Sequence, residues 1–442
     1  MTDYTYLRQG RRERIVLGKV LGEGAAGRVC AVPVMPGVAA KIYKTAAEAA
    51  EYEEKIEVMV ATRPNLPDFP GKRFTCRQIA WPLASLHEPR GAFAGFLMPE
   101  IDFAHSRPLE SILQKNSRKL DNISEQYRLR VLVAANMATV FAELHRLKHY
   151  MIDMKPDNLR LYAKAGYLAV VDTDGFSIRG SAKRFPAQQF TDNYIAPEGR
   201  GRRPQDMGED QDRFALAVIL FQLLNNGLHP YSVIMSPQSP LPRELQSRIY
   251  ANLYAYGLRP HPEIQPAPAS IHASFDTTTR QMFDRAFLGG GGGRPRAREW
   301  RDHLRSLLQD SVMVTCRVNP AEHAHFGNGC GLCALENRMA AAARRPGARK
   351  AVPKPPAPPA WTPSAQRPVP GLAPATAAFH QPAAMSYIPA GRAGAGVATA
   401  AVQRRPFHDV AMLVIGIIVV LALVRACVGA VGQGAAEAPA AT

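Results

Sequence analysis

The run Asp212–Leu224, "DRFALAVILFQLL", limits the folds open to this chain more than any other stretch. Apolar residues occupy nearly every face of the helix it would form, so the helix has no side to turn to water and needs packing partners all round. A second helix, from Glu125 to Leu147, can supply one face of that packing. Its Leu129, Leu132, Val133, Met137, Val140, Phe141, Leu144 and Leu147 recur at three and four. Upstream, residues 14–43 read as short strands, "RIVLGKVLGEGAAGRVCAV" and "VAAKIY", and the Ala- and Glu-rich residues 45–62 read as a helix. No internal repeat is visible. A length of 442 residues suits one large domain with appendages. The expectation is an α+β chain with a small strand-rich part ahead of a large helical one.

The chain changes character near its end. Residues 341–442 carry ten Arg and Lys against Asp409 and Glu437, about eight of the net charge of +17. A basic, Pro- and Ala-rich linker over 341–408 therefore accounts for much of the high pI, and a nucleic-acid partner is disfavoured. Val410–Val424 is then fifteen unbroken apolar residues, followed by Arg425 and six more small or apolar ones. With Arg425 reaching toward headgroups, 409–431 reads as one transmembrane helix with a short tail, 432–442. Arg404 and Arg405 put its N-terminal side in the cytoplasm, and no signal peptide precedes the polar start. The expected location is the cytoplasmic membrane, single-pass, with the folded domain cytoplasmic. The membrane segment also offers a route to a homodimer.

The chemistry-bearing residues fall in order along the first 300. "LGEGAAGRV" sets Gly22, Gly24 and Gly27 between strands, where bare backbone N–H groups can approach phosphate oxygens. Lys41 in "VAAKIY" sits among apolar neighbours and needs an anionic partner, for which the next helix offers Glu51, Glu53, Glu54 and Glu57. "YMIDMKPDNLRLY" brings Asp153, Lys155 and Asn158 together, and "LAVVDTDGFSI" ends an apolar strand with Asp172 and Asp174. A carboxylate to orient a hydroxyl, a lysine to neutralise phosphate, and an amide and a carboxylate for Mg²⁺ are what in-line phosphoryl transfer needs.

In this order of motifs the chain resembles a eukaryotic-like Ser/Thr protein kinase, from about Ile15 to Leu308, of a divergent bacterial branch. The resemblance implies a bilobal kinase-like domain over 1–310, with the N-lobe about 14–101 and the C-lobe about 102–310. It implies ATP with Mg²⁺ or Mn²⁺, protein substrates or docking partners, and transfer of the γ-phosphate to Ser or Thr. Asp153 would orient the substrate hydroxyl, Lys155 would neutralise the moving group, and Asn158 and Asp172 would hold metal. Lys41 would grip phosphates, braced by Glu54, with Glu57 as the rival. Leu21, Gly22, Gly24, Gly27, Val29 and Ala39 would enclose the nucleotide, and "GFLMPEID" resembles the hinge, with Met98, Pro99 and Ile101 meeting adenine. "TDNYIAPE" supplies Thr191 and Glu198 as structural residues; Asp212 anchors the buried helix, and Arg294 is the implied partner of Glu198. Met151 and Ile152 replace the usual His and Arg, Thr173 and Asp174 the usual Phe and Gly, and Arg160 an apolar floor residue. Since the charged groups of the reaction remain, an active enzyme is favoured over a nucleotide-binding pseudokinase scaffold.

Six cysteines, five of them in the expected cytoplasmic domain, suggest metal or burial, not disulfides. Cys30 and Cys76 have no partner spacing. "CRVNPAEHAHFGNGCGLC" places Cys316, His323, Cys330 and Cys333 at the spacing of a structural Zn²⁺ site in a zinc-ribbon-like segment, 311–340, with His325 as an alternative ligand.

Overall fold

The computed structural model describes residues 3–8, 11–24, 26–71 and 74–344. Strands β1 (Asp3–Arg8), β2 (Arg11–Val16), β3 (Val20–Glu23), β4 (Gly27–Ala31) and β5 (Val38–Tyr43) precede helix α1 (Ala46–Ala61). With β6 (Ala84–His87) and β7 (Phe93–Pro99) they form one antiparallel sheet in the order β2-β1-β6-β7-β5-β4-β3. The sheet begins eleven residues earlier than position 14, the start expected from sequence. Tyr4 and Tyr6 alternate onto the face that Ile15, Ala40, Ile42, Leu86 and Leu97 share, so burial recruits the first hairpin. Strand β5 is buried on both faces. Its Ala40 and Ile42 pack on that cluster, while Lys41 and Tyr43 turn to the side covered by α1. Thr45 and Glu48 start α1 with a reciprocal capping box, satisfying two otherwise unpaired N–H groups. Gly95 on β7 is required by close approach, since a Cβ there would strike the Lys41 carbonyl.

The rest is mainly helical. A short strand β8 (Arg107–Pro108), ahead of helix α2 (Tyr127–Arg146), pairs with β9 (Leu159–Tyr162) after it, and β9 pairs with β10 (Tyr167–Val170). Helices α3 (Glu209–Leu224), α4 (Thr277–Phe287), α5 (Ala297–Leu307) and α6 (Gly331–Arg344) follow. From Phe214 to Leu224 every residue of α3 is buried, as its all-round apolar pattern requires. Helix α2 packs on α3 and α5, and α4 on α3. Tyr127, the first residue of α2, has no side-chain cap before it; its N–H instead donates to the Glu322 carbonyl at 2.8 Å, tying the Cys/His segment to this core.

The expected single-pass membrane location is corrected here. Among the described residues no helix is long and apolar enough to cross a membrane. The segment 409–431, the linker from 345 onward and the tail 432–442 lie outside the described residues, so nothing observed supports membrane anchoring.

Candidate functional site

The loop between α2 and β9 carries the candidate catalytic residues, and α3 holds that loop in place. Asp212, fully buried in the first turn of α3, accepts the N–H of Met151 at 2.8 Å and of Ile152 at 2.7 Å, with His145 Nε2 at 3.0 Å. Ile152 has φ +59°, a left-handed conformation that costs a β-branched residue about 1–2 kcal/mol. Two charge-assisted hydrogen bonds to consecutive amides can offset that cost. The replacement of His-Arg by Met151-Ile152 therefore leaves the loop's backbone anchor in place.

Beyond this turn, four side chains converge. Asp153 Oδ1 accepts the Thr191 hydroxyl at 2.7 Å, and Lys155 Nζ lies 3.0 Å from both Thr191 Oγ1 and Asp153 Oδ2. Asn158 Nδ2 donates to the Asp153 carbonyl at 3.0 Å and to its Oδ2 at 3.3 Å. Asn158 is also tied to the next segment, its carbonyl accepting Val171 N–H at 3.1 Å. Asp172 follows in a left-handed conformation, φ +54°. Its side chain is reachable by solvent, yet protein surrounds it closely. Burial raises its carboxyl pKa, Lys41 opposes that, and Asp174 and Asp153 add to it. No hydrogen-bond donor among the described residues reaches this carboxylate. An acceptor group so placed beside the Asn158 loop suits a hard, oxygen-seeking cation.

Lys41 is where the structure departs from expectation. Its Nζ lies 2.7 Å from both carboxylate oxygens of Asp174, and the Tyr43 hydroxyl reaches Asp174 Oδ2 at 3.2 Å. Glu54 instead pairs with Lys183 at 2.5 Å on the surface, and Glu57 is exposed. The cause is helix phase. Ala49, Lys55, Ile56 and Met59 form the buried face of α1, with Tyr52 half-buried beside them, and at 100° per residue Glu54 falls on the opposite side. Glu54 is thus removed from the candidate site, and Asp174, noted in the sequence beside Asp172 but not as the partner of Lys41, enters it. Although burial disfavours the Lys41 ammonium, Asp174 and then Asp172 hold its pKa above the ordinary value. The Asp174 carboxyl is conversely held low, its burial outweighed by Lys41. Lys55 was missed altogether; burial lowers its pKa from 10.5 to about 8.

The remaining expected nucleotide residues lie on β3, β4, β5 and β7 or just beyond their ends. Gly22 pairs with Val29, Val29 with Lys41, and Ala39 with Met98, while Leu21 falls at a register shift. Gly24 N–H closes the turn onto the Gly27 carbonyl at 2.9 Å. A Cβ on Gly27 would strike the Ile42 carbonyl, so this glycine serves strand packing. Pro99 ends β7, and Ile101 packs with Ala80, Tyr162 and Ala169. Arg160 lies over the Phe103 ring at 4.3 Å and donates to the Ser106 carbonyl at 3.0 Å. Elsewhere Arg294 makes a two-pronged ion pair with Glu198, one arm at 2.9 Å. A cavity of about 400 Å³ beside Glu198, Arg202, Glu209 and Arg213 shares none of the Lys41 or Asp153 residues.

A second cluster lies beyond α5. The ligand atoms of Cys316, His323, Cys330 and Cys333 all fall within 4.8 Å of one another. Cys316 Sγ is 3.4 Å from Cys333 Sγ, and His323 Nδ1 is 3.3 Å from Cys333 Sγ and 3.7 Å from Cys330 Sγ. Edges of this length fit a tetrahedron with metal–ligand bonds of about 2.0–2.3 Å. Backbone N–H groups of Asn319 and Val318 pull the Cys316 thiol down to about 7, whereas burial and the neighbouring Cys316 and Cys330 push Cys333 up to about 12. The other ring nitrogen of His323 faces Glu336 at 3.4 Å, the usual orienting arrangement for a metal-bound histidine. His325 lies outside the cluster, its buried Nδ1 without a partner. The donor set fits a closed, structural Zn²⁺ site.

No known family profile matches the chain. Two curated proteins, both named Protein kinase YegI, are similar to it. The one from Escherichia coli (strain K12) is 28% identical over 338 residues, and the one from Escherichia coli O157:H7 is 28% identical over 345. Each alignment covers 74% of this chain and 49% or 50% of the relative, so the chain spans about half the length of the curated relatives it matches. The similarity supports a divergent bacterial kinase-like protein.

Proposed function

We propose that this chain is a protein kinase with a bilobal kinase-like fold, transferring the γ-phosphate of ATP to Ser or Thr hydroxyls of protein substrates. The observation that carries the reading is the hydrogen-bonded set of Asp153, Lys155 and Asn158, on a loop anchored by Asp212, with Thr191 reaching in from a later segment. Asp153 offers a fixed carboxylate to accept and orient a substrate hydroxyl. Lys155, already 3.0 Å from it, brings positive charge to the path of the moving phosphoryl group. Lys41 grips the phosphates that remain on the nucleotide. Asn158 and Asp172 would hold Mg²⁺ or Mn²⁺, which supplies neutralisation of phosphate charge. Cys316, His323, Cys330 and Cys333 would hold a Zn²⁺ that is structural, since four protein ligands leave no open position. Lys155, two residues after Asp153, resembles the Ser/Thr pattern and supports Ser or Thr over Tyr as acceptor.

The test is γ-phosphoryl transfer from labelled ATP by the full chain with Mg²⁺ or Mn²⁺, beside Asp153→Asn and Asp172→Ala. Label incorporation lost in both variants, and recovered as phosphoserine or phosphothreonine, is the expected result. Nucleotide binding without transfer would reject the kinase reading in favour of a scaffold, and phosphotyrosine as main product would reject the Ser/Thr assignment.

A further inference from the structure

A lysine in the middle of a strand buried on both faces needs a counter-ion, because an unpaired ammonium there is costly. Helix α1 supplies none in this fold. Its inward polar groups are Tyr52, stacked on Tyr43 at 4.8 Å between ring centroids, and Lys55, itself a cation. The acid that meets Lys41 comes from the turn after β10. Both oxygens of Asp174 lie 2.7 Å from Lys41 Nζ, and Tyr43 donates a further hydrogen bond. The turn is pinned from behind, since the buried Thr173 hydroxyl donates to the Ala80 carbonyl at 2.8 Å and Gly175 N–H to the Asp172 carbonyl at 3.1 Å.

We infer that Asp174 is the positioning residue that holds Lys41 ready for nucleotide phosphates, replacing any carboxylate of α1. The inference rests on the kinase reading for what Lys41 grips. It has a mechanical consequence. Asp172, the candidate metal ligand, and Asp174 sit two residues apart on one turn, so a single backbone rearrangement of Asp172–Gly175 would disturb both phosphate-binding elements together. A displacement of α1 would carry away Tyr52 and Lys55 but no counter-ion of Lys41.

The test is equilibrium binding of a non-hydrolysable ATP analogue with Mg²⁺ to the full chain by calorimetry, which needs no turnover. Asp174→Asn is expected to weaken binding at least tenfold and, where transfer is measured, to raise KM for ATP more than it lowers kcat. Asp174→Glu restores the charge and is expected to recover part of the loss, which a purely structural role would not produce. Glu54→Gln is expected to shift affinity less than twofold. If Asp174→Asn is partly unfolded by circular dichroism, the comparison of Asp174→Glu with Glu54→Gln decides: the larger loss must fall on the Asp174 variant. Wild-type affinity in Asp174→Asn, or a greater loss in Glu54→Gln, would overturn the inference. An unmutated chain that binds no analogue overturns it together with the nucleotide site, whereas one that binds without transferring phosphate fails the kinase reading alone and leaves the role of Asp174 measured.

Discussion

Lys55→Met should stabilise the protein at neutral pH. Lys55 is 4% exposed, and its contacts are the Pro186 carbonyl at 3.4 Å and the Tyr52 ring at 5.6 Å. Burial is the main cause of its low pKa; Asp174 opposes the fall and Lys41 adds to it. The drop from 10.5 to about 8 corresponds to about 3 kcal/mol at roughly 1.4 kcal/mol per tenfold change in proton binding. The sign follows from proton counts. Below about pH 8 both the folded and unfolded chains carry the Lys55 proton, and the folded state bears the full penalty. Between about 8 and 10.5 the unfolded chain binds more protons, so wild-type stability rises with pH relative to a variant without the amine. Methionine fills a similar volume without charge. Urea unfolding of the full chain should therefore show Lys55→Met more stable by about 2–3 kcal/mol at pH 7, with the difference closing by about pH 10.5. Equal or lower stability of the variant at pH 7, or a difference that stays constant across this range, would refute the assignment of Lys55 as a desolvated, weakly partnered cation.

Two further outcomes follow from the anchors. Asp212→Asn turns an amide NH₂ toward one of the two backbone N–H groups of Met151 and Ile152. It is expected to cost about 2–4 kcal/mol by denaturant unfolding and to remove most phosphoryl transfer, because the left-handed turn at Ile152 loses its acceptor. Chelation of metal, or Cys330→Ser with Cys333→Ser, is expected to lower the melting temperature by several degrees, with close to one Zn²⁺ per chain measured beforehand by elemental analysis. The loss should spread beyond the ligands, since Phe326 packs between Tyr127 and Phe275 and Glu322 caps α2.

Elements with a strong internal period were legible from sequence alone. Burial over Phe214–Leu224 follows from a pattern with no polar face, and the helix expected over residues 125–147 occupies Tyr127–Arg146. The Cys316, His323, Cys330 and Cys333 spacing was legible because ligand chemistry is carried by residue type. The first hairpin was not, because "MTDYTYLRQGRRER" is polar overall and only the alternation of Tyr4 and Tyr6 marks it as half-buried.

By itself, then, the sequence determined which groups are present and in what order: the loop glycines, Lys41, Asp153, Lys155, Asn158, Asp172. It could also state that a buried Lys41 must have an anion, since that follows from the cost of desolvating charge. Which anion was a tertiary decision. Four glutamates lie within sixteen residues of Lys41 along the chain and Asp174 lies 133 away, yet the phase of α1 turns Glu54 to Lys183 and the turn after β10 delivers Asp174 to within 2.7 Å. Sequence distance carries no information about such a pairing, because it is set by the rotation of one helix on a sheet and by how a pinned turn meets it.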